Sequence, residues 1–313
     1  MALGNRCDIV QMLESEEVTK ICAPMVRYSK LAFRTLVRKY GCDLAFTPMI
    51  IAESFSQSQH ARDADFTTSQ ADRPLVVQFA AKNGKYFADV AEMVAPYSDG
   101  VDLNCGCPQR WAIQEGYGAC LIDKPELISD MVSQARNRIT VYPFSVSVKI
   151  RIHDELRRTV DFCRQVEAAG VSFITVHGRT KAQRAEPVNV EAVRLIKENL
   201  SVPVIHNGDV TSLERMQDIV GATGVNGVMA ARGILENPAM YAGHGVNREV
   251  LSDWVEIAMN HGTQFPCFHH HTHTMLQNCM SKPERRVFNT FQSTAAILDY
   301  LDHEYGISSD GSD

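Results

Sequence analysis

Side chains able to do chemistry recur in this chain at one kind of place, the end of a short apolar run. Asn104, Cys105 and Cys107 follow the run 101–103, and Gly106 and Pro108 break it there, since proline has no ladder donor and a fixed φ. Gln78 lies in the run 75–79, Lys149 and Arg151 close 144–151, and His177 closes 173–177 with Arg179 just beyond. Asn207, Gly208 and Asp209 end the run 203–207, and Ala231, Arg232 and Gly233 follow 227–230. Thiols bind metals, attack, or give up protons, whereas ammonium and guanidinium groups hold anions. Placing such groups at the rim of a core costs free energy unless a ligand completes their hydrogen bonds.

Two chemistries can be weighed from spacing. Cys105-X-Cys107 with Cys120 nearby resembles half of a zinc site, but structural zinc usually shows paired ligands twice and no second pair exists. His269 and His273 stand at i and i+4 in the run His269, His270, His271, His273, yet no third ligand accompanies them. No metal is therefore expected. An anion is expected, because two glycine-bearing turns, Asn207 to Asp209 and Ala231 to Gly233, follow the seventh and eighth runs. That is where a barrel of alternating strands and helices keeps its phosphate.

The elements that position these residues read clearly. Eight β-rich runs occupy 20–25, 44–48, 75–79, 101–104, 144–151, 173–177, 203–207 and 227–231. Amphipathic helices alternate with them. Phe33, Leu36, Val37 and Tyr40 form one stripe closed by Gly41; Leu156, Val160, Cys163 and Val166 form another closed by Gly170. Thr211 or Ser212, with Glu214 close behind, marks a helix start. Eight β/α units over roughly 220 residues match a (β/α)8 TIM barrel. An open doubly wound sheet would carry a Gly-rich loop after its first strand, where this chain has Ala23, Pro24 and Met25. The barrel is expected over 18–243. A small all-helical domain is expected over 247–306, with one helix through Leu251, Trp254, Val255 and Ala258, a second over 265–279, and a third through Val287, Phe288, Phe291, Ala295 and Leu298. Residues 308–313 read as a frayed tail.

Composition bounds the rest. With 45% hydrophobic and 22% charged residues the chain is ordinary globular material. No run of eighteen apolar residues and no basic segment leading into an apolar one suggest a membrane span or secretory signal. Nine cysteines, an odd number scattered through apolar segments, favour reduced thiols in the cytosol over a disulfide framework, with the nucleus also open; a monomer is expected. The net charge of −6 does not announce a nucleic-acid partner.

Taken together these residues resemble the dihydrouridine synthases, flavin enzymes that reduce uridine in tRNA. The matching motifs are Ala23-Pro24-Met25, Gln78-Phe79-Ala80, Asn104-Cys105-Gly106-Cys107-Pro108, Lys149-Ile150-Arg151, His177-Gly178-Arg179-Thr180, Asn207-Gly208-Asp209 and Ala231-Arg232-Gly233. Residues 22–34 and 105–111 are most similar to the subgroup associated with tRNA positions 20a and 20b. The resemblance implies FMN in the barrel mouth, NADPH (or NADH) as its reductant, and a flipped-out uracil lying over the flavin. A hydride passes to uracil C6, and a proton must reach C5. A free thiol, with an ordinary pKa of ~8.5, is protonated at neutral pH and can donate. Cys107 matches the family's acid. Cys105 would point the same way in an extended segment, so spacing leaves the two open; only the Gly-Cys-Pro motif selects Cys107.

By the same resemblance, Pro24, Met25, Val26 and Gln78 contact the flavin and Lys149 sits at its N1–C2 edge. His177, Asn207, Gly208, Asp209, Ala231 and Arg232 hold its ribityl and phosphate groups. Asn104 orients the uracil, and Arg151 and Arg179 touch tRNA or the FMN phosphate. The helical domain is the expected tRNA clamp, although from Asn247 onward it holds 4 Lys or Arg against 9 Asp or Glu. Its basic face must be local, with Lys282, Arg285 and Arg286 joined by Arg27, Lys30, Arg110 and Arg184. A free-pyrimidine flavoenzyme of the dihydroorotate dehydrogenase type is the alternative, but it would not need the helical tail. The intact Cys107, Lys149 and His177 argue against an inactive FMN- or tRNA-binding relative.

Overall fold

Eight parallel strands close into a ring in the computed structural model, which describes residues 6–307. They are β1 (Thr19–Cys22), β2 (Leu44–Phe46), β3 (Leu75–Ala80), β4 (Gly100–Cys105), β5 (Ser145–Ile152), β6 (Phe173–Thr180), β7 (Val204–Asn207) and β8 (Gly227–Ala230). Each pairs with the next, and β1 pairs with β8 from Thr19 opposite Gly227 to Cys22 opposite Ala230. A two-residue strand, Ile50–Ile51, extends the rim beside Phe79 and Ala80. All eight expected strands are present, so the fold is the (β/α)8 barrel.

The helices form where apolar spacing and caps agree. Leu31–Lys39 buries Phe33, Leu36 and Val37, and Gly41 follows at φ 85°. Leu156–Ala168 buries Val160, Cys163 and Val166. Of the two candidate caps, Ser212 takes the role: its side chain accepts from Arg215 N. One element was not expected. Ile9–Leu13 is a single turn capped by Asp8, with Ile9 and Leu13 buried. Leu13 also accepts a bond from Asn226 Nδ2, 3.0 Å away, which ties this turn to the start of β8. Five residues are too few for a periodic signal, and tertiary packing supplies the stability.

The C-terminal part is helical, as expected, but its third helix is two. Lys282–Phe288 and Thr294–Tyr305 each start at their own serine: Ser281 in a capping box with Glu284, and Ser293 accepting from Ala296 N. The segment 289–293 ends in Ser293, which supplies the second cap and so breaks the helix. The second helix, Phe265–Leu276, stops short of Cys279. The expected frayed segment, 308–313, lies outside the described residues.

This tail is fused to the barrel through one continuous core that includes Trp254, Phe268, Phe288 and Leu301. Asp253 receives Tyr40 Oη at 2.5 Å and Lys39 Nζ at 2.6 Å. The histidine run does the rest. His270 stacks on Tyr28 at 3.9 Å, and His271 stacks on Phe33 at 4.4 Å with its Nε2 3.1 Å from Tyr28 O. His269 lies 3.1 Å from Phe288 O. These imidazoles act as flat packing surfaces with one polar tip.

Burial pushes His271 down to about 3, so the folded protein keeps it neutral. Its contribution to stability is complete above the unfolded value of about 6.5 and is lost as pH falls towards 3. Between pH 6.5 and 5 this one ring will remove about 2 kcal/mol. A series of thermal melts will show the decline, and His271→Phe will make it shallower by that amount. An unchanged slope would contradict a buried neutral ring.

Candidate active site

Strand alternation sends Gln78 and Asn104 into the barrel, with Asp102 and Ser147 below them. Gln78 Nε2 donates to Asp102 Oδ2 at 2.8 Å, and Asn104 Nδ2 donates to Gln78 Oε1 at 2.9 Å. Ser147 Oγ donates to Asp102 Oδ1 at 2.7 Å. Thr47 Oγ1 accepts from Gln78 N at 3.1 Å and fixes that strand's backbone. Burial pushes Asp102 up to about 6, against the pull of the Gln78 and Ser147 hydrogen bonds and the Lys149 charge.

Beyond Asn104 the chain does not stay extended. Asn104 Oδ1 accepts from both Gly106 N, at 3.1 Å, and Cys107 N, at 2.9 Å, which curls the backbone over the asparagine. This separates the two cysteines that spacing leaves open. Cys105 is 0% exposed in the main core, where burial drives its thiol well above the ordinary range. Cys107 is half-buried and packs with a small cluster of Ala80, Ala112 and Tyr117. Its carbonyl accepts from Ala119 N at 2.9 Å. Gly118 makes that approach possible: at φ 69°, a Cβ there would fall 2.6 Å from Cys107 O.

Cations gather on the strands beside β4, beginning with Lys149, which pairs in register with Asn104. Lys149 Nζ donates to Asn207 Oδ1 at 2.8 Å, and burial pushes the ammonium down to about 8. Arg151 is spent on the loops, donating to the carbonyls of Gly106, Thr180 and Gln183. Arg179, 2% exposed, donates to Glu186 O and to Asp209 Oδ1 at 2.6 Å. It also lies 3.1 Å from His177 Nε2. Arginine cannot accept, so that nitrogen is the acceptor and Nδ1 carries the ring proton. Burial first, then Lys149, Arg151 and Arg179, pushes His177 down to about 2, leaving a neutral donor.

These residues meet at a cleft of about 440 Å³ lined by Arg151, His177, Arg179, Asn207, Asp209 and Arg232. Gly208, at φ 123°, brings the backbone after β7 into its wall, with Ala231 and Gly233 opposite. Asp209 follows at φ 50°, a conformation that aspartate tolerates. Arg232 is exposed, its side chain 65% accessible and 3.4 Å from Asp209. After β1, Pro24 and Met25 are largely covered, whereas Val26 is 42% exposed. On the Cys107 side, Trp111 is 43% exposed on the short helix Arg110–Gln114. A second cleft, about 310 Å³, opens where Thr47 and Pro48 meet Trp254 and Gln264 of the tail.

Sequence reasoning missed Asp102 and His206. Asp102 had a signal, a lone carboxylate among apolar neighbours at the same alternation as Asn104. His206 is fully buried beside Gly208 O, at 2.9 Å, and braces the turn that follows β7.

Comparison with known proteins adds to this geometry. Residues 21–300 match the family model described as dihydrouridine synthase (Dus). A human protein named tRNA-dihydrouridine(20a/20b) synthase (NAD(P)+)-like is 56% identical over 301 residues, covering 96% of this chain and 95% of its own. The tRNA-dihydrouridine(20a/20b) synthase of Schizosaccharomyces pombe is 39% identical over 299 residues, 95% of this chain and 91% of its own. Among solved structures, 6-hydroxypseudooxynicotine amine oxidase of Pseudomonas geniculata aligns at TM-score 0.55 and 12% identity, over 75% of this chain and 49% of that one. That likeness is one of fold alone.

The two arginines facing Asp209 differ in burial and so in consequence. Arg179→Ala leaves a half-buried carboxylate without its main partner and will cost about 3 kcal/mol in urea unfolding. Arg232→Ala, at an exposed side chain 3.4 Å away, will cost less than about 1 kcal/mol. Equal losses would refute the ranking.

Proposed function

The chain belongs to the dihydrouridine synthase family, and on that premise we propose that it is an FMN-dependent oxidoreductase that converts uridine to 5,6-dihydrouridine in tRNA, at positions 20a and 20b. The observation that carries the reading is the placement of one half-buried thiol, Cys107, at the barrel mouth beside a cationic cleft, whose Arg151 donates to the carbonyl of the neighbouring Gly106.

The residues of that cleft fit FMN by their chemistry. A phosphate takes the Arg232 guanidinium and the turns at Gly208 and Ala231, with the His177 Nδ1–H as a neutral donor. Asp209 orients Arg179 and Arg232. Lys149 gives one of its three N–H groups to Asn207 and keeps the others for the electron-rich edge of the flavin ring. Gln78, with one N–H and one lone pair already committed, offers a fixed donor and acceptor to the ring's pyrimidine end. Pro24, Met25 and Val26 flank the mouth. Bound FMN supplies the hydride that reduces uracil C6 and takes it in turn from NADPH or NADH.

Cys107 then delivers its proton to uracil C5, and Asn104 orients the base. Arg151 and Arg179 act on the substrate side by holding the loops around it, since their donors are committed to carbonyls and to Asp209. The barrel, 18–243, carries the chemistry and the helical domain, 247–306, clamps the tRNA. Arg27, Lys30, Arg110, Arg184, Lys282 and Arg286 are exposed and, with Arg285, supply the phosphate contacts that the net charge does not. Nine free cysteines support a cytoplasmic setting.

The purified protein will be yellow and, once given NADPH and unmodified tRNA, will produce dihydrouridine at these positions. Flavin without dihydrouridine on any tRNA would sink this function. Cys107→Ala will keep its flavin and its reduction by NADPH but will slow transfer to tRNA by roughly 10²-fold or more. Cys105→Ala will stay near the parent rate; the reverse pattern would overturn the acid assignment.

A further inference from the structure

The chemistry just proposed makes no use of the carboxylate beneath it. Asp102 is 0% exposed, in the middle of β4. Its two hydrogen bonds come from neutral donors, Gln78 and Ser147, and Lys149 acts on it only through its charge. A buried carboxylate without a bonded cation is costly, and a neutral side chain of the same shape would fill the space. Only a carboxylate, however, accepts at both oxygens and never donates while ionised.

That property matters because of what hangs from it. The side-chain amides of Gln78 and Asn104 could each sit either way round. At the far end, Gly106 N and Cys107 N are obligate donors, so the Asn104 atom facing them is oxygen. Asn104 nitrogen then faces Gln78 oxygen, and Gln78 nitrogen faces Asp102. At the near end the carboxylate demands the same order. Reversing either amide would set donor against donor at one end and acceptor against acceptor at the other.

We propose that Asp102 is a positioning residue for Cys107: its carboxylate fixes the direction of the Gln78–Asn104 amide chain, and through it the backbone that presents the thiol. The importance of that thiol rests on the function proposed above; the relay itself does not. Breaking the relay loosens the turn at Gly106 and Cys107 and leaves the phosphate side of the cleft, which lies on other strands, in place.

Amide hydrogen exchange on the purified holoprotein tests this directly, because Gly106 N–H and Cys107 N–H are the last links. In Asp102→Ala both will exchange roughly tenfold faster, with the amides of β6 and β7 unchanged. Asp102→Asn can accept from Gln78 or donate to it, so the two amides will exchange at a rate between parent and alanine variant. Asn104→Ala removes the acceptor itself and marks the upper limit. If Asp102→Ala does not fold, Asp102→Asn carries the test alone: faster exchange at these two amides upholds the relay, and parent-like exchange overturns it. With tRNA, both Asp102 variants will keep flavin reduction by NADPH and lose transfer to uridine in step with the exchange rate. A parent protein that makes no dihydrouridine would sink the function and leave the exchange result standing. Parent-like exchange beside normal dihydrouridine formation would sink the relay alone.

Discussion

The pairing of Thr19–Cys22 with Gly227–Ala230 joins the first strand to the last. Once the ring is shut, no strand of it has a free edge, and every inward side chain must find its partner inside. All strands run the same way, so their C-terminal ends open on one face. Gln78, Asn104, Lys149, His177 and Asn207 come from five strands and meet there because the ring leaves them nowhere else to go. Deeper in, the same closure turns Asp102 and Ser147 towards each other.

Much of this was legible in the sequence, for a physical reason. Apolar runs of strand length alternating with amphipathic stretches report burial, and burial is what builds the ring. The eight strands and the polar groups at their ends therefore followed from pattern. Contacts that depend on a turn did not. Cys105 and Cys107 lie two residues apart, and an extended chain would align them; the curl over Asn104 separates them, and no periodicity encodes it. Asp102 went unnoticed because its role is set by side chains on neighbouring strands. In the tail, apolar spacing ran through 287–298 as if unbroken, whereas Ser293 restarts the helix.

Electrostatics shows the same limit of counting. The chain carries more Asp and Glu than Lys and Arg, 37 against 31, and a bulk argument says nothing of an anionic partner. Yet Lys149, Arg151, Arg179 and Arg184 lie close enough to shift one another's or a neighbour's protonation, and His177 is driven neutral among them. A field is local. Its sign at the mouth is decided by which charges a fold collects in low dielectric, and the sum over the surface does not report it.

The shared core between tail and barrel has a consequence for recognition. Trp254, Phe268 and the ring stacks of His270 and His271 pack the tail directly against the barrel. An RNA that touches the tail while one base enters the barrel is therefore held against a gauge of fixed span. Such a gauge selects a nucleotide by its distance from a contact elsewhere on the folded RNA, and base identity at the point of contact matters little. For an RNA held in that way, neighbouring nucleotides would differ in reach.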